Sequence, residues 1–380
     1  KKDRVSDGWS LKGLVDARLT VILLILFPVS MSVSRFGMIT LKNTCQMSSF
    51  DKLQRYIEKL LEGKTGSVVA IDPSSGELLA IASAPSFDPN ILSGRDYSKN
   101  YRNLQLDTLK PIYNRALTAT YPPGSMFKLI QALIGLEENV VSKEDQIYVD
   151  LSRIGDLAPA GIYDLNKAIV NSSNNYFHML FRKLINQKRD NNTFIDSRIG
   201  LDRWSEYVKK FGLGSDLDFD ISNISSGFVP SSEYYDGFYG KGRWKFSNIY
   251  SLSIGQGELL VTPIQMANFA SIIANRGYYY NPNIVTHING KKTSNNQRKY
   301  LDIDKTHFDY VVDAMENVVM NGSARRAYMR ELMLCGKTST VQNPHGYDHS
   351  GFIGFAPKNN PKIAIAASVS YTHLTLPTKA

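Results

Sequence analysis

An α+β fold is predicted, with one antiparallel sheet drawn from both ends of the chain and helices on its faces and in an all-helical region between. Three observations carry this reading. The runs GSVVAID and ELLAIASAP are separated only by Pro73, Ser74, Ser75 and Gly76. The strand-like runs LMLCGKTSTV, GFIGFAP and KIAIAASV lie near the other end. The text between has helical periodicity, and a chain of 380 residues that is 43% apolar can bury a sizeable core, which excludes disorder throughout.

Residues 1–50 lack turn punctuation and a clear amphipathic period, so a boundary is expected near Asp51. Within them, Leu19 to Ser34 (LTVILLILFPVSMSVS) carries no charge and is flanked by Arg18 and Arg35. It is a candidate membrane anchor. It is also short for a span of about 20 residues and is interrupted by Pro28, so a signal-like or mistranslated segment stays open beside it. From Asp51, DKLQRYIEKLLEG places Leu53, Tyr56, Ile57, Leu60 and Leu61 on one helical stripe that ends at Gly63. The two runs that follow read as a β-hairpin.

The middle of the chain is expected to be mostly helical. SMFKLIQALIGLEENV starts directly after Pro122, Pro123 and Gly124, and DRWSEYVKKFG closes on Gly212. Thr262, Pro263 and Gln265 form a helix start, with Thr as N-cap, Pro at the first position and Gln completing a capping box. The aromatic and glycine-rich stretch 225–247 fits a cleft wall or, in the preferred reading, a structural loop with partly buried rings. HFDYVVDAMENVVMNG supplies a last helix before the closing strands. No internal repeat or low-complexity tract is visible.

Against 35 acidic residues stand 44 Lys and Arg, and the resulting +9 favours anionic surroundings such as a membrane face, a polyanionic wall or nucleic acid. No Cys/His finger or helix-turn-helix pattern supports nucleic acid, and no nucleic-acid partner is expected. Cys45 and Cys335 are too few for a disulfide framework and lack zinc-site spacing. Cys335 reads as a small buried residue. His345 and His349 have the spacing of a helical metal pair but lie among Pro344, Gly346 and strand signals, where that spacing does not converge.

Three short motifs carry chemistry. In PPGSMFK, Ser125 falls in the first turn of a helix and Lys128 three residues on, so both share one face. A neutral lysine can accept the serine proton if burial and neighbouring positive charge depress its pKa, and the helix N-terminus favours a developing oxyanion. Ser172 and Asn174, within NSSNNYF, can relay a proton and hold an amide. Lys337, Thr338, Ser339 and Thr340 lie on a strand whose edge could pair with an extended peptide. Each motif alone is weak. In this order, Ser-x-x-Lys, a Ser/Asn motif and Lys-Thr-Gly are the signature of penicillin-binding proteins and class A β-lactamases.

With its flanks, the chain resembles the elongation-type class B penicillin-binding proteins, peptidoglycan D,D-transpeptidases with the penicillin-binding and serine β-lactamase-like fold. The resemblance rests on GSVVAIDPSSGELLAIASAPSFDPN, PIYNRALTATYPPGSMFK, NSSNNYF, SLSIGQGELLVTPIQMANFASIIANRG and CGKTSTVQNPHGYDHSGFIGFAP, and it spans about Asp51 to Ser368. It implies Ser125 as acylated nucleophile, Lys128 as its base, and Ser172 with Asn174 as proton relay and substrate holder. Lys337 would join them in the active-site field and, with Thr338, bind the substrate or β-lactam carboxylate side. Ser339 and Thr340 complete the substrate-binding strand, and the N–H groups of Ser125 and Thr340 would form the oxyanion hole. The resemblance further implies D-Ala-D-Ala stem peptides as substrate, β-lactams as covalent ligands and no cofactor or metal. It also implies a membrane-embedded glycosyltransferase partner and a single-pass location in the bacterial inner membrane, with the catalytic domain on the extracytoplasmic side.

The sequence departs from the family in three places. Ser339 stands where glycine is usual, which puts turnover in question. The long pedestal region that the family carries is absent before Asp51, so the chain reads as a fragment. The closing VSYTHLTLPTKA matches a translated transposon adapter of sequencing libraries, so residues 369–380 are expected to be a non-native tail, with a similar frame shift near the start. A serine β-lactamase or β-lactam sensor of the same fold, and a silent scaffold of the wall-elongation machinery, are the rival readings.

Overall fold

The computed structural model describes residues 45–47, 51–221, 223–288, 291–292, 297–341 and 348–370. Leu19–Ser34, His345 and the segment after Ser370 lie outside the described residues. The strands are β1 (Cys45–Met47), β2 (Thr65–Ile71), β3 (Leu78–Ala84), β4 (Ile147–Val149), β5 (Gly161–Tyr163), β6 (Tyr278–Tyr279), β7 (Val285–Ile288), β8 (Lys291–Lys292), β9 (Lys299–Tyr300), β10 (Cys335–Val341), β11 (His349–Ala356) and β12 (Ile363–Ser370). The α-helices are α1 (Asp51–Leu61), α2 (Tyr97–Leu106), α3 (Lys128–Glu137), α4 (Leu165–Val170), α5 (Asn174–Ile185), α6 (Thr193–Lys210), α7 (Ser232–Tyr239), α8 (Phe246–Ile249), α9 (Pro263–Ala274) and α10 (Lys305–Asn321).

The central sheet has the order β10-β11-β12-β2-β3, all neighbours antiparallel, so strands from both ends of the chain meet at β12 and β2 as the α+β reading expects. The register sets Ala366 opposite Val69 and Lys337 opposite Ile353. Val68, Val69, Ala70 and Ile71 are all buried, which is why this central strand reads as an unbroken apolar run rather than an alternation. β12 continues to Ser370, past the boundary expected near Ser368, and Val369 is buried. The boundary at Asp51 coincides with the start of α1, but upstream of it Cys45–Met47 pair with β7.

Helix α9 starts at the Thr262 capping box, with Gln265 N–H donating to Thr262 Oγ1 and Thr262 N–H donating to Gln265 Oε1. Every residue of α9 is buried where it packs on β12, β2 and β11. Each large side chain in it contributes roughly 1.5–3 kcal/mol by leaving water. Helix α10 packs on β10, while α3 lies among α4, α5, α6 and α10. The stretch 225–247 is less of a loop than expected. Ser231 caps α7 and Gly240 ends it at φ 92°, while Tyr235 and Trp244 are buried and bonded to Glu258 and Asp236. The mostly helical middle also holds a short β4–β5 ladder.

The two edges of the sheet differ. At the β3 edge, Gln54 of α1 donates Nε2–H to the Ile81 carbonyl (2.8 Å) and accepts the Ile81 N–H (2.9 Å), and Leu78 N–H donates to the Asn283 carbonyl. At the other edge, among the described residues β10 has one strand partner, β11, and it packs against the turn that carries Ser125.

Candidate active site

The segment that delivers Ser125 is fixed by backbone contacts. Tyr121 exchanges two hydrogen bonds of 2.9 Å with Val261, Pro122 and Pro123 contribute no N–H, and Gly124 N–H donates to the Gly255 carbonyl at 2.8 Å. Gly124 has φ +57°, and a Cβ there would strike Ser339 Oγ and come within 2.7 Å of Val341 Cγ2, so the turn needs glycine for both conformation and space. Ser125 then sits in a 3-10 turn, Gly124–Phe127, before α3 begins at Lys128. Lys128 N–H donates to the Ser125 and Met126 carbonyls. At three residues per turn, positions three apart eclipse, which aligns Ser125 and Lys128 more directly than an α-helical turn would.

Lys128 is fully buried, and its ammonium donates to the Ser172 carbonyl (2.6 Å), Asn174 Oδ1 (2.6 Å) and Ser172 Oγ (3.3 Å). Lys337, equally buried on β10, donates to the same Ser172 Oγ at 2.9 Å. One hydroxyl therefore bridges two buried lysines from different parts of the fold. Burial pushes the pKa of Lys128 well below the ordinary lysine value, the positive charge of Lys337 pushes it the same way, and Asp156 opposes them. These are the conditions under which an amine can hold an open lone pair near neutral pH. Ser172 adopts φ +56°, a conformation uncommon outside glycine, which turns its carbonyl and hydroxyl together toward Lys128.

On β10 the strand alternation separates the expected substrate-binding residues. Thr338 and Thr340 are partly exposed, and Thr338 Oγ1 lies 2.6 Å from Ser323 Oγ. Ser339 is 3% exposed and donates its hydroxyl to the Pro123 carbonyl at 2.9 Å. Its side chain therefore does not belong with Thr338 and Thr340 as a substrate contact. It ties β10 to the serine turn instead, because successive strand residues point to opposite faces. The serines at 125 and 172, Asn174 and both threonines are partly open, while the two lysines are closed off.

Three contributors carried no signal as site residues in the sequence. Asp156 binds the Ser173–Asn175 turn, Ser323 meets Thr338, and Gly255 receives the Gly124 N–H. Gly255 stood only within a family flank, whereas Asp156 and Ser323 had no pattern around them. The His349 ring lies 4.9 Å from that of Tyr121, tilted by 58°, and its Nδ1 is 2.8 Å from Ser370 Oγ. Among the described residues no group of His, Cys, Asp and Glu could hold a metal. Burial pushes the Cys335 thiol up to about 12, which makes it a packing residue. Two hollows elsewhere, about 30 Å³ behind Ser339 and about 520 Å³ beside Tyr101 and Tyr113, do not include Ser125.

A serine at a helix start, a buried lysine one turn on and a second lysine on a sheet edge, the two lysines joined through the Ser172 hydroxyl, match the serine–lysine class of acyl-transfer sites. The profile of the family described as the penicillin binding protein transpeptidase domain matches residues 66–378, and the chain belongs to that family. The chain is 30% identical over 348 residues to the peptidoglycan D,D-transpeptidase MrdA of Acinetobacter baumannii, covering 83% of this chain and 49% of that protein. A crystal structure of Pseudomonas aeruginosa PBP2 in complex with WCK 5153 superposes with a TM-score of 0.75 at 32% identity, over 86% of this chain and 73% of that one. PBP2 of Helicobacter pylori, solved in complex with MreC, gives a TM-score of 0.73 at 26% identity, over 86% and 60% of the two chains. The chain thus spans about half the length of the curated relative it matches.

Proposed function

We propose that this chain is the catalytic domain of a peptidoglycan D,D-transpeptidase that is acylated at Ser125. The observation that carries the reading is the Ser172 hydroxyl shared by two buried lysines beside the serine turn. Neutral Lys128 takes the Ser125 proton as Oγ attacks the carbonyl of the penultimate D-Ala of a stem peptide. The tetrahedral oxyanion is met by the N–H groups of Ser125 and Thr340. As the C–N bond breaks, the proton passes from Lys128 through Ser172 to the leaving D-Ala amine, and an ester remains on Ser125. An amine of a neighbouring stem then attacks this ester, gives its proton back through the same groups and leaves a cross-link. The stem peptide would lie along the open edge of β10, with its carboxylate near Lys337 and Thr338 and its amide held by Asn174.

β-Lactams present the same kind of carbonyl and would form a stable ester. The Helicobacter PBP2 solved in complex with MreC supports a protein partner for this domain, and the family resemblance extends the reading to a membrane-embedded glycosyltransferase partner. No described helix is long and apolar enough to cross a membrane, and the single-pass inner-membrane anchor of this reading would lie outside the described residues. The deciding experiment is labelling of the purified chain with a fluorescent penicillin, read by intact-protein mass. One added drug mass that persists for hours is expected. Absence of an adduct sinks the reading, and rapid release of hydrolysed drug would identify a β-lactamase of the same fold.

A further inference from the structure

The loop before β5 is stitched to the turn that bears Ser172 and Asn174. The half-buried Asp156 accepts the Ser173 hydroxyl (2.9 Å), the Asn175 N–H (2.8 Å) and Asn175 Nδ2–H (3.2 Å) on Oδ2, and the Ala158 N–H (3.1 Å) on Oδ1. In return, Asn175 Oδ1 accepts the N–H groups of Arg153 and Ile154, its Nδ2 donates to the Ile154 carbonyl, and Asn174 Nδ2 donates to the Gly155 carbonyl at 2.6 Å. The last bond orients the Asn174 amide, so that its Oδ1 is the atom presented to Lys128. Ser172 sits in the left-handed region without being glycine, a conformation that persists only where its surroundings hold it.

We propose that Asp156 is a positioning residue for acylation, which through Ser173 and Asn175 clamps the Ser172–Asn174 turn against Lys128 and supplies a negative charge facing that lysine. This rests on the transpeptidase reading and extends it to a residue outside the three motifs. The charged groups facing Lys128 are Lys337 from β10 and Asp156 from the loop. The turn and α5 contribute only the neutral Ser172, Asn174 and the Phe177 ring, 5.7 Å from Nζ. Although burial opposes ionisation of Asp156, the N–H groups of Asn175, Ala158 and Asn174 and the Ser173 hydroxyl hold its carboxyl below the usual range, so it is anionic wherever the enzyme would work.

A charge and a clamp have separable signatures. Removing the anion leaves Lys128 easier to deprotonate, so the acid limb of the acylation rate moves to lower pH. Loosening the clamp lowers the plateau. The test measures β-lactam acylation rate against pH for wild type, Asp156→Asn, Asp156→Glu and Ser173→Ala, each checked for folding by thermal melt. Asp156→Asn is expected to lower the plateau about tenfold and shift the acid limb downward. Asp156→Glu is expected to lose plateau rate while keeping the limb, and Ser173→Ala to lose a few-fold in plateau with the limb in place. A folded Asp156→Asn variant whose limb or plateau matches wild type overturns the proposal. If that variant does not fold, Ser173→Ala decides, and a rate within about twofold of wild type overturns it. An unacylated wild type fails the transpeptidase reading itself, whereas acylated wild type with an unaltered Asn variant fails only this inference.

Discussion

The two edges of the central sheet solve opposite problems. At β3, a helix lays Gln54 across the Ile81 peptide and the Asn283 carbonyl takes the Leu78 N–H, so outward backbone groups are satisfied within the chain. At β10, the strand packs against the turn that carries Ser125, and Lys337 reaches from that strand to Ser172. An exposed edge invites pairing with another chain. Here one edge is covered by a helix and a loop, and the other is the edge along which the proposed stem peptide would lie. Substitutions at the β10 edge should therefore cost chemistry, and those at the β3 edge stability.

The largest expected effect is at the serine. Ser125→Ala should abolish the covalent β-lactam adduct without lowering the melting temperature, as read by intact-protein mass and a thermal melt. An adduct that survives would remove the nucleophile assignment.

Next comes its base. Lys128→Ala is expected to slow acylation by about 10²- to 10⁴-fold, the usual cost of losing a general base, and a loss below about tenfold would point to another base. In wild type, the rate should fall as pH drops through the depressed pKa of Lys128, because protonation removes the acceptor. Stability should respond in the same sense. The unfolded chain binds this proton more tightly than the folded one, so between the depressed pKa and the ordinary lysine pKa the folded state gains stability as pH rises. Lys128→Met removes that slope, and comparing chemical denaturation across this window for the two proteins measures it.

At the closed edge, Gln54→Ala should cost about 1–3 kcal/mol, because it leaves the Ile81 N–H and carbonyl without their side-chain partner. Acylation per folded molecule should not change. Urea denaturation alongside penicillin labelling checks both halves, and a slowed acylation would show that the edges are coupled.

The smallest effect is expected at Ser339, which belongs to the open edge by position but points inward. Ser339→Gly should leave acylation within about threefold, a barrier difference under ~1 kcal/mol. It should cost about 1 kcal/mol of stability, since the Pro123 carbonyl loses its donor. A much larger gain in rate would mean that the serine impairs the cleft.

Much of this was readable from local pattern. The hairpin follows from two apolar runs around Pro73–Gly76, α9 from its capping box, and the placement of Ser125 and Lys128 at the start of one helix from the PPG entry. Such features depend on neighbours within a turn or a hairpin, and sequence periodicity records those directly. The inward side chain of Ser339 and its bond to the Pro123 carbonyl came from the structure. What only the tertiary structure decided is who shares whose charge. Lys128 and Ser172 are 44 residues apart, Lys337 and Ser172 are 165 apart, and Asp156 reaches Ser173 across 17 residues with no motif to mark it. The proton affinity of Lys128 depends on burial and on charges brought close by packing, and no local pattern fixes those distances.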